Sequence, residues 1–327
     1  MMKLSVLDQS LARTAEQAAQ ALRETIEMAR YCESLGYERF WVSEHHAFPS
    51  VAGSAPEVLL AALGAATSRI RLGSGGIMLP HYSAYKVAEV FSLLANLYPE
   101  RIDLGVGRAP GADMSTAVAL ANGRRPNFER FPTQVAELSD YLWNPDAKPL
   151  VSPRPPAGMP LWMLGSSPDS AMLAAQRGLP YNLGIFINPQ ARPELVKLYK
   201  SRFQPSALQP EPYAIITTSV FCAEDEERAK ALQLTYDLNL FRFVTGQSEN
   251  RSLTPQAALQ YPLGPQERSF IASRNVSRAV GTPAQVKAQL ELLAEQFAAD
   301  EVMVVSNMYY FEDRQRSFKL LKEVFSA

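Results

Sequence analysis

Residues 70–107 read IRLGSGGIMLPHYSAYKVAEVFSLLANLYPERIDLGVG, and they contain one whole unit of the fold. The apolar runs at 70–79 and 101–107 read as two strands, with a helix over 84–97 between them. A strand, a helix and a second strand in succession place the strands parallel, because parallel neighbours need a long crossover. The same unit extends in both directions. Upstream lie KLSVLD (3–8), an amphipathic helix from about Thr14 to Leu35 stopped by Gly36, RFWVS (39–43) and an Ala/Leu-rich helix at 55–66. Downstream, a helix ends near Trp143, and PLWMLG (160–165) precedes a helix at 168–177 closed by Gly178. YNLGIF (181–186), a helix near 193–202, YAIITTSVFCA (213–223) and a helix from Glu224 follow. A helix capped by Thr282 with Pro283 in its first turn, the strand EVMVV (301–305) and a last helix complete the series.

Eight strands alternating with helices predict a parallel α/β protein, and this number favours a closed (β/α)8 TIM barrel. An open doubly wound sheet is the weaker reading, since no Gly-x-Gly-x-x-Gly follows the first strand. Residues 1–327 are read as one domain. The segment 244–280, with Gly246, Pro255, Pro262, Gly264 and Pro265, breaks the alternation. It is read as an insertion over the barrel mouth, with the role of a lid left open. The proline-rich stretch LVSPRPPAGMP (150–160) reads as an extended lead-in to the fifth strand.

Composition narrows the function classes. A net charge of −1, with Arg124-Arg125 as the longest basic cluster, argues against nucleic acid and anionic membranes as partners. Cys32 and Cys222 lack metal-ligand spacing and fit a reducing compartment. No apolar run is long enough to span a membrane or to resemble a secretory leader, so a cytoplasmic location is expected.

Three histidines follow strand ends: His45 and His46 in WVSEHH, and His81 after GGIMLP. In a barrel all three gather at the carboxyl end, where such folds keep their chemistry, and imidazole suits proton transfer near neutral pH. Side chains alternate along an extended run, so Glu44 and His46 share a face and His45 points away. Three adjacent residues therefore do not converge on one metal, and no metal site is expected. A glutamate at a strand end orients a neighbouring imidazole; a plain loop-capping role for one imidazole stays open. Pro80 favours a simple turn at His81. Gly73, Gly75 and Gly76 weaken a strand and call for a bulge, a tight bend or a flat ligand against bare backbone. Arg108 leaves a glycine-lined strand end, where its fork suits a phosphate. In MLGSSPDS, Ser166, Ser167 and Ser170 open a helix, a setting for an anion site or for a simple cap at Ser167.

Taken together, WVSEHHAFP (41–49), IRLGSGGIMLPHYSAYKVAEVFSLLANLYPERIDLGVGRAPG (70–111), MLGSSPDSAMLAAQRGLP (163–180) and GTPAQVKAQLELLAEQFAADEVMVVS (281–306) resemble the luciferase-like, flavin-dependent monooxygenases. The resemblance implies a (β/α)8 barrel, a homodimer and FMN at the carboxyl ends of the strands. It also implies O2 as oxidant, a small organic substrate, and reduced FMN delivered by a separate flavin reductase. By position, His45 matches the catalytic imidazole, with Glu44 beside it and His46 as its partner in the motif. Gly75 and Gly76 match a pair that supports the flavin ring, often through a non-proline cis peptide. Arg108, Ser166, Ser167 and Ser170 match the FMN phosphate site. Met78, Leu79, Trp41 and the 244–280 segment are candidates for walls that exclude water.

Gly107 stands where true bacterial luciferases carry a reactive cysteine, and their long mobile loop is not obvious here. Light emission is not expected, and the substrate is not inherited from luciferase. Two other readings keep the fold: a deazaflavin-dependent hydride-transfer enzyme, and a flavin-binding protein without turnover. A metal-dependent barrel hydrolase would need clustered His and Asp with His-x-His spacing, which the chain lacks.

Overall fold

The computed structural model describes residues 2–48, 50–109, 111–248 and 252–326. Its strands are β1 (Lys3–Asp8), β2 (Arg39–Val42), β3 (Arg71–Ser74), β4 (Ile77–Met78), β5 (Ile102–Gly107), β6 (Leu161–Gly165), β7 (Tyr181–Gly184), β8 (Ala214–Cys222), β9 (Arg278–Gly281) and β10 (Glu301–Val305). Every ladder between them is parallel, and β10 pairs with both β8 and β1, which closes the sheet into a barrel. The third barrel strand is divided: β3 pairs with β2 and β5, while β4 continues along β5 alone. The division falls at Gly75-Gly76, whose peptide bond is cis.

Alternation along the strands sorts side chains between two cores. Leu7, Trp41, Trp162, Ile215 and Met303 fill the barrel interior, and their neighbours Val6, Phe40, Leu161, Ile216 and Val302 pack outward against the helices. Trp41 and Trp162 meet edge to face with ring centres 5.2 Å apart. A Cβ on Gly73 would stand 2.5 Å from Trp41 Nε1, so the glycine is what lets this indole lie against the strand. Below the rings, at the amino end of the strands, Arg39 joins Asp103 at 2.9 Å and Glu301 at 3.0 Å. Trp41 Nε1 donates to the same Asp103 carboxylate at 3.1 Å. The bottom of the barrel is therefore filled by charge and rings.

One boundary is corrected. The first long helix is Ala18–Leu35, with a single 3-10 turn at Ala15–Gln17 before it, and Gly36 ends it in the left-handed region at φ 78°. The segment 244–280, expected as an insertion, carries secondary structure of its own. It holds the helices Pro255–Leu259 and Pro265–Arg274 and most of β9; residues 249–251 of it lie outside the described residues. Strand β8 outruns β7: β7 pairs with Ala214–Thr217, and β9 takes up Ser219–Cys222. Ser219 pairs with Val305 as well as Arg278, so β9 sits on the flank that β7 leaves free. An ion pair of 2.8 Å between Asp237 and Arg278 fastens the helix Glu226–Val244 to β9. Among the described residues, no helix is long and apolar enough to cross a membrane.

Candidate active site

Beyond β2 the chain runs on through Ser43–His45 and bends at His46, held by His45 N–H donating to Gly53 O at 2.9 Å and His46 N–H to Gly111 O at 2.8 Å. The alternation expected from sequence is present: Glu44 Oε1 lies 2.8 Å from His46 Nε2. The Glu44 carboxylate is fully buried and also accepts from Tyr82 Oη at 2.7 Å and from Met78 N–H at 2.9 Å. It thus ties the end of β2 to the end of β4. Burial, together with this carboxylate, pushes the Tyr82 phenol far up, so it remains a proton donor to Glu44.

His45 turns the other way. Its Nδ1 lies 3.0 Å from Ser43 Oγ, and its ring lines a cavity at the barrel mouth. Glu44 does not hold His45 by a hydrogen bond; Ser43 does. The same alternation pairs Ser43 with His45, and this partner was missed in the sequence because a serine two residues away carries no motif of its own. Burial holds the His45 imidazole below its ordinary value, so the ring is neutral near pH 7. With Nδ1 engaged by Ser43, Nε2 is the nitrogen left for proton exchange. His81, in the 3-10 turn Leu79–His81, packs edge-on to His46 with ring centres 6.1 Å apart and lines neither cavity described here.

Two cavities open at the carboxyl end. The first, about 350 Å³, is lined by Gly75, Gly76, Arg108, Ser166, Ser167 and Ser170, which brings together every residue assigned to cofactor binding. Arg108 is about half exposed, with Nη1 3.7 Å from Asp169 Oδ2. Ser167 caps the helix Pro168–Gln176, and Ser170 Oγ donates to Ser167 O at 2.7 Å. One end of this cavity therefore offers a guanidinium, hydroxyls and a helix start, the chemistry of a phosphate site.

Further in, glycines bring backbone to the lining beside Leu7, Met78 and Leu164. A Cβ on Gly107 would meet nothing nearer than Met78 Sδ at 3.8 Å, and one on Gly184 nothing nearer than Ile187 Cδ1 at 3.5 Å. Space that side chains would fill is left to the cavity, as a flat ring with a phosphate tail requires. Asn182 and Thr217, absent from the sequence-based set, also line it and bond to each other at 2.7 Å. Asn182 is a lone polar residue in an apolar strand run and Thr217 opens the polar triplet Thr217–Ser219 of β8, a weak signal without the barrel in view.

The second cavity, about 410 Å³, is aromatic: Phe48, Tyr236, Phe243, Phe270 and Tyr309 line it with His45. Phe186 and Ile187 line both cavities and form the partition between them. Among the described residues, no group of three or more His, Cys, Asp or Glu is arranged to hold a metal ion.

Comparison with known proteins agrees with this architecture. The family model for luciferase-like monooxygenases matches residues 2–300. An uncharacterized protein YwcH of Bacillus subtilis (strain 168) is 42% identical, with 100% of each chain covered. The N-acetyl-S-alkylcysteine monooxygenase of the same strain is 35% identical over 100% of this chain and 99% of its own. The crystal structure of apo-MsnO8 superposes with a TM-score of 0.91 at 40% identity, covering 100% of this chain and 99% of that one. Two more distant structures share the fold. One is the oxygenating constituent of 3,6-diketocamphane monooxygenase from Pseudomonas putida, in complex with FMN, at 18% identity, TM-score 0.71, 98% of this chain and 96% of that one. The other is an F420-dependent secondary alcohol dehydrogenase at 16% identity, TM-score 0.67, 99% of this chain and 98% of that one. Barrel, cavities and full-length similarity converge, and the chain belongs to the luciferase-like monooxygenase family.

Proposed function

We propose that this protein is an FMN-dependent monooxygenase that uses reduced FMN and O2 to oxidise a small organic substrate, with the reduced flavin supplied by a separate reductase. The observation that carries this reading is the pair of adjoining cavities that share Phe186 and Ile187 as lining residues: one has a phosphate end and glycine-lined walls, the other has His45. Full-length relatives named as monooxygenases support it. Arg108, Ser166 and Ser167 would hold the phosphate, with Ser170 bracing Ser167. Gly107 and Gly184 would leave room for the ring, with Gly75 and Gly76 lining the same cavity. Bound reduced FMN supplies the two electrons that let one oxygen atom enter the substrate while the other leaves as water.

The chain's own residues have three tasks. Phe48, Phe186 and Phe243 keep water from the reacting centre, where electrostatic interactions then act at full strength. His45, neutral and steadied by Ser43, holds or returns a proton at Nε2. Glu44 acts at one remove: it fixes Met78 and Tyr82, and through them the end of β4 beside the glycine-lined cavity.

An anaerobic titration with FMN, reduced FMN and a deazaflavin, followed by admission of O2, tests the reading. Preferential binding of reduced FMN and its rapid reoxidation by O2 are expected. Tighter binding of deazaflavin without reaction with O2 would replace it by hydride transfer. Binding of neither would overturn it.

A further inference from the structure

Among the described residues, charges around the aromatic cavity do not balance. Arg13 and Arg274 line it, and no Asp or Glu does so among the described residues. Arg13 has a counter-ion of its own, with Nη1 3.3 Å from Glu24 Oε1, and its Nε donates to Tyr309 O at 2.8 Å. Arg274 has only a share in one. Its Nε lies 3.9 Å from Asp237 Oδ1, beyond hydrogen-bond reach. Both oxygens of that buried carboxylate accept from Arg278 Nη1, at 2.9 and 2.8 Å, and Gln233 Nε2 donates to it at 3.2 Å. Among the described residues, two guanidiniums thus face one carboxylate, which leaves one positive charge over.

The surplus falls at the cavity. Arg274 Nη2 donates to Phe186 O at 3.0 Å; among the described residues, nothing accepts from its buried Nε. Its side chain is only 12% exposed, so water screens it poorly. A cation so placed is unfavourable unless a partner joins it. Phe48, Phe243, Leu240 and Met308 supply apolar surface on the same walls, beside the uncharged polar side chains of Gln9, Asn239 and Asn307.

We propose that the aromatic cavity is the substrate site and that its substrate is an organic acid. The apolar body lies among Phe48, Phe243 and Met308, and the carboxylate rests on the Nη edge of Arg274. A planar guanidinium suits a carboxylate in this role, because two N–H groups meet two oxygens. Arg274 is also the residue that holds the Phe186 carbonyl, so the anchor for the acid stands on the partition between the cavities. The oxidation of the acid rests on the monooxygenase reading; its binding does not.

Calorimetric titration of flavin-free protein with octanoate and with octanamide separates the two questions, since neither flavin nor O2 is present. Octanoate is expected to bind about tenfold more tightly than octanamide. Arg274→Gln should remove that preference and Arg274→Lys should keep part of it, both with FMN affinity unchanged in a separate titration. Equal binding of acid and amide, binding of neither, or a preference that survives Arg274→Gln would overturn the assignment. The wild-type comparison and Arg274→Lys decide the matter even if Arg274→Gln fails to fold. Failure of FMN to bind, with the acid preference intact, would overturn the monooxygenase reading alone.

Discussion

Ser43 and His45 share one side of the extended run after β2, with Ser43 Oγ 3.0 Å from His45 Nδ1. This contact fixes the ring that faces the aromatic cavity, while Glu44 is occupied elsewhere. His45→Ala is expected to lower turnover by about a hundredfold or more, the usual effect of losing a proton-transfer group, with FMN affinity retained. Ser43→Ala should lower kcat by a smaller factor and leave FMN affinity alone. Steady-state kinetics beside flavin titrations check both, and a loss of FMN affinity in either variant would count against a role in proton transfer.

His45 also sets a pH dependence. Burial lowers its pKa in the fold, so the unfolded chain binds more protons between that value and the ordinary imidazole range. Stability from this residue is therefore present above about pH 6.5 and is lost as pH falls toward the folded value. Thermal unfolding of the parent and His45→Gln from pH 5 to 8 tests the sign: the difference between them should change below about pH 6.5 and stay flat above it.

Arg108 and Asp169 make opposite predictions. Arg108→Ala should weaken FMN by about tenfold and leave riboflavin, which lacks the phosphate, nearly unaffected. Asp169 competes for the same guanidinium at 3.7 Å, in a pair open to solvent. Asp169→Asn should therefore tighten FMN slightly, by no more than a few-fold. Fluorescence titrations of both flavins suffice, and equal losses for FMN and riboflavin in Arg108→Ala would place the phosphate elsewhere.

Glu44 and Arg39 are expected to matter for stability. Removing the Glu44 carboxylate leaves Tyr82 Oη, Met78 N–H and His46 Nε2 without their acceptor, at a cost of about 2 kcal/mol or more for Glu44→Ala. Tyr82→Phe deletes one of these bonds and should cost about 1 kcal/mol. Arg39→Met strands Glu301 and half of the Asp103 pairing at the closed end of the barrel, worth about 3–5 kcal/mol. Burial alone would raise the Asp103 carboxyl, but Arg39 and Arg71 reverse this and hold it below its ordinary value. Its contribution is thus full above about pH 4 and lost as pH falls through the folded value. Denaturant melts with FMN titrations on the surviving fold separate these effects from binding.

The barrel was legible because parallel strands buried on both faces appear as separate apolar runs, such as AIITTSVFC in β8, all of it buried. Strand β9 was not, since RAVG is four residues that pair only with the overhang of β8. At the site, Arg108 and the serines were readable because a strand end and the helix start after it are neighbours in sequence. Arg274 was not: its importance depends on Asp237, Arg278 and Phe186, which only the folded chain assembles. Glu44 was singled out, but its partner is His46, because the carboxylate reaches along its own face of the run.

The overhang of β8 has a consequence for how such a protein diversifies. The glycine-lined cavity draws its walls from residues between Leu7 and Thr217, whereas the far wall of the aromatic cavity comes from residues 235–274, carried on elements that β9 anchors. On the proposed assignment of the two cavities, cofactor grip and substrate choice are inherited through different stretches of one chain. Grafting residues 226–281 from a relative should change which molecules are oxidised while the Kd for FMN stays put. The segment behaves as an exchangeable faceplate on a fixed engine, and selection can rework one without disturbing the other.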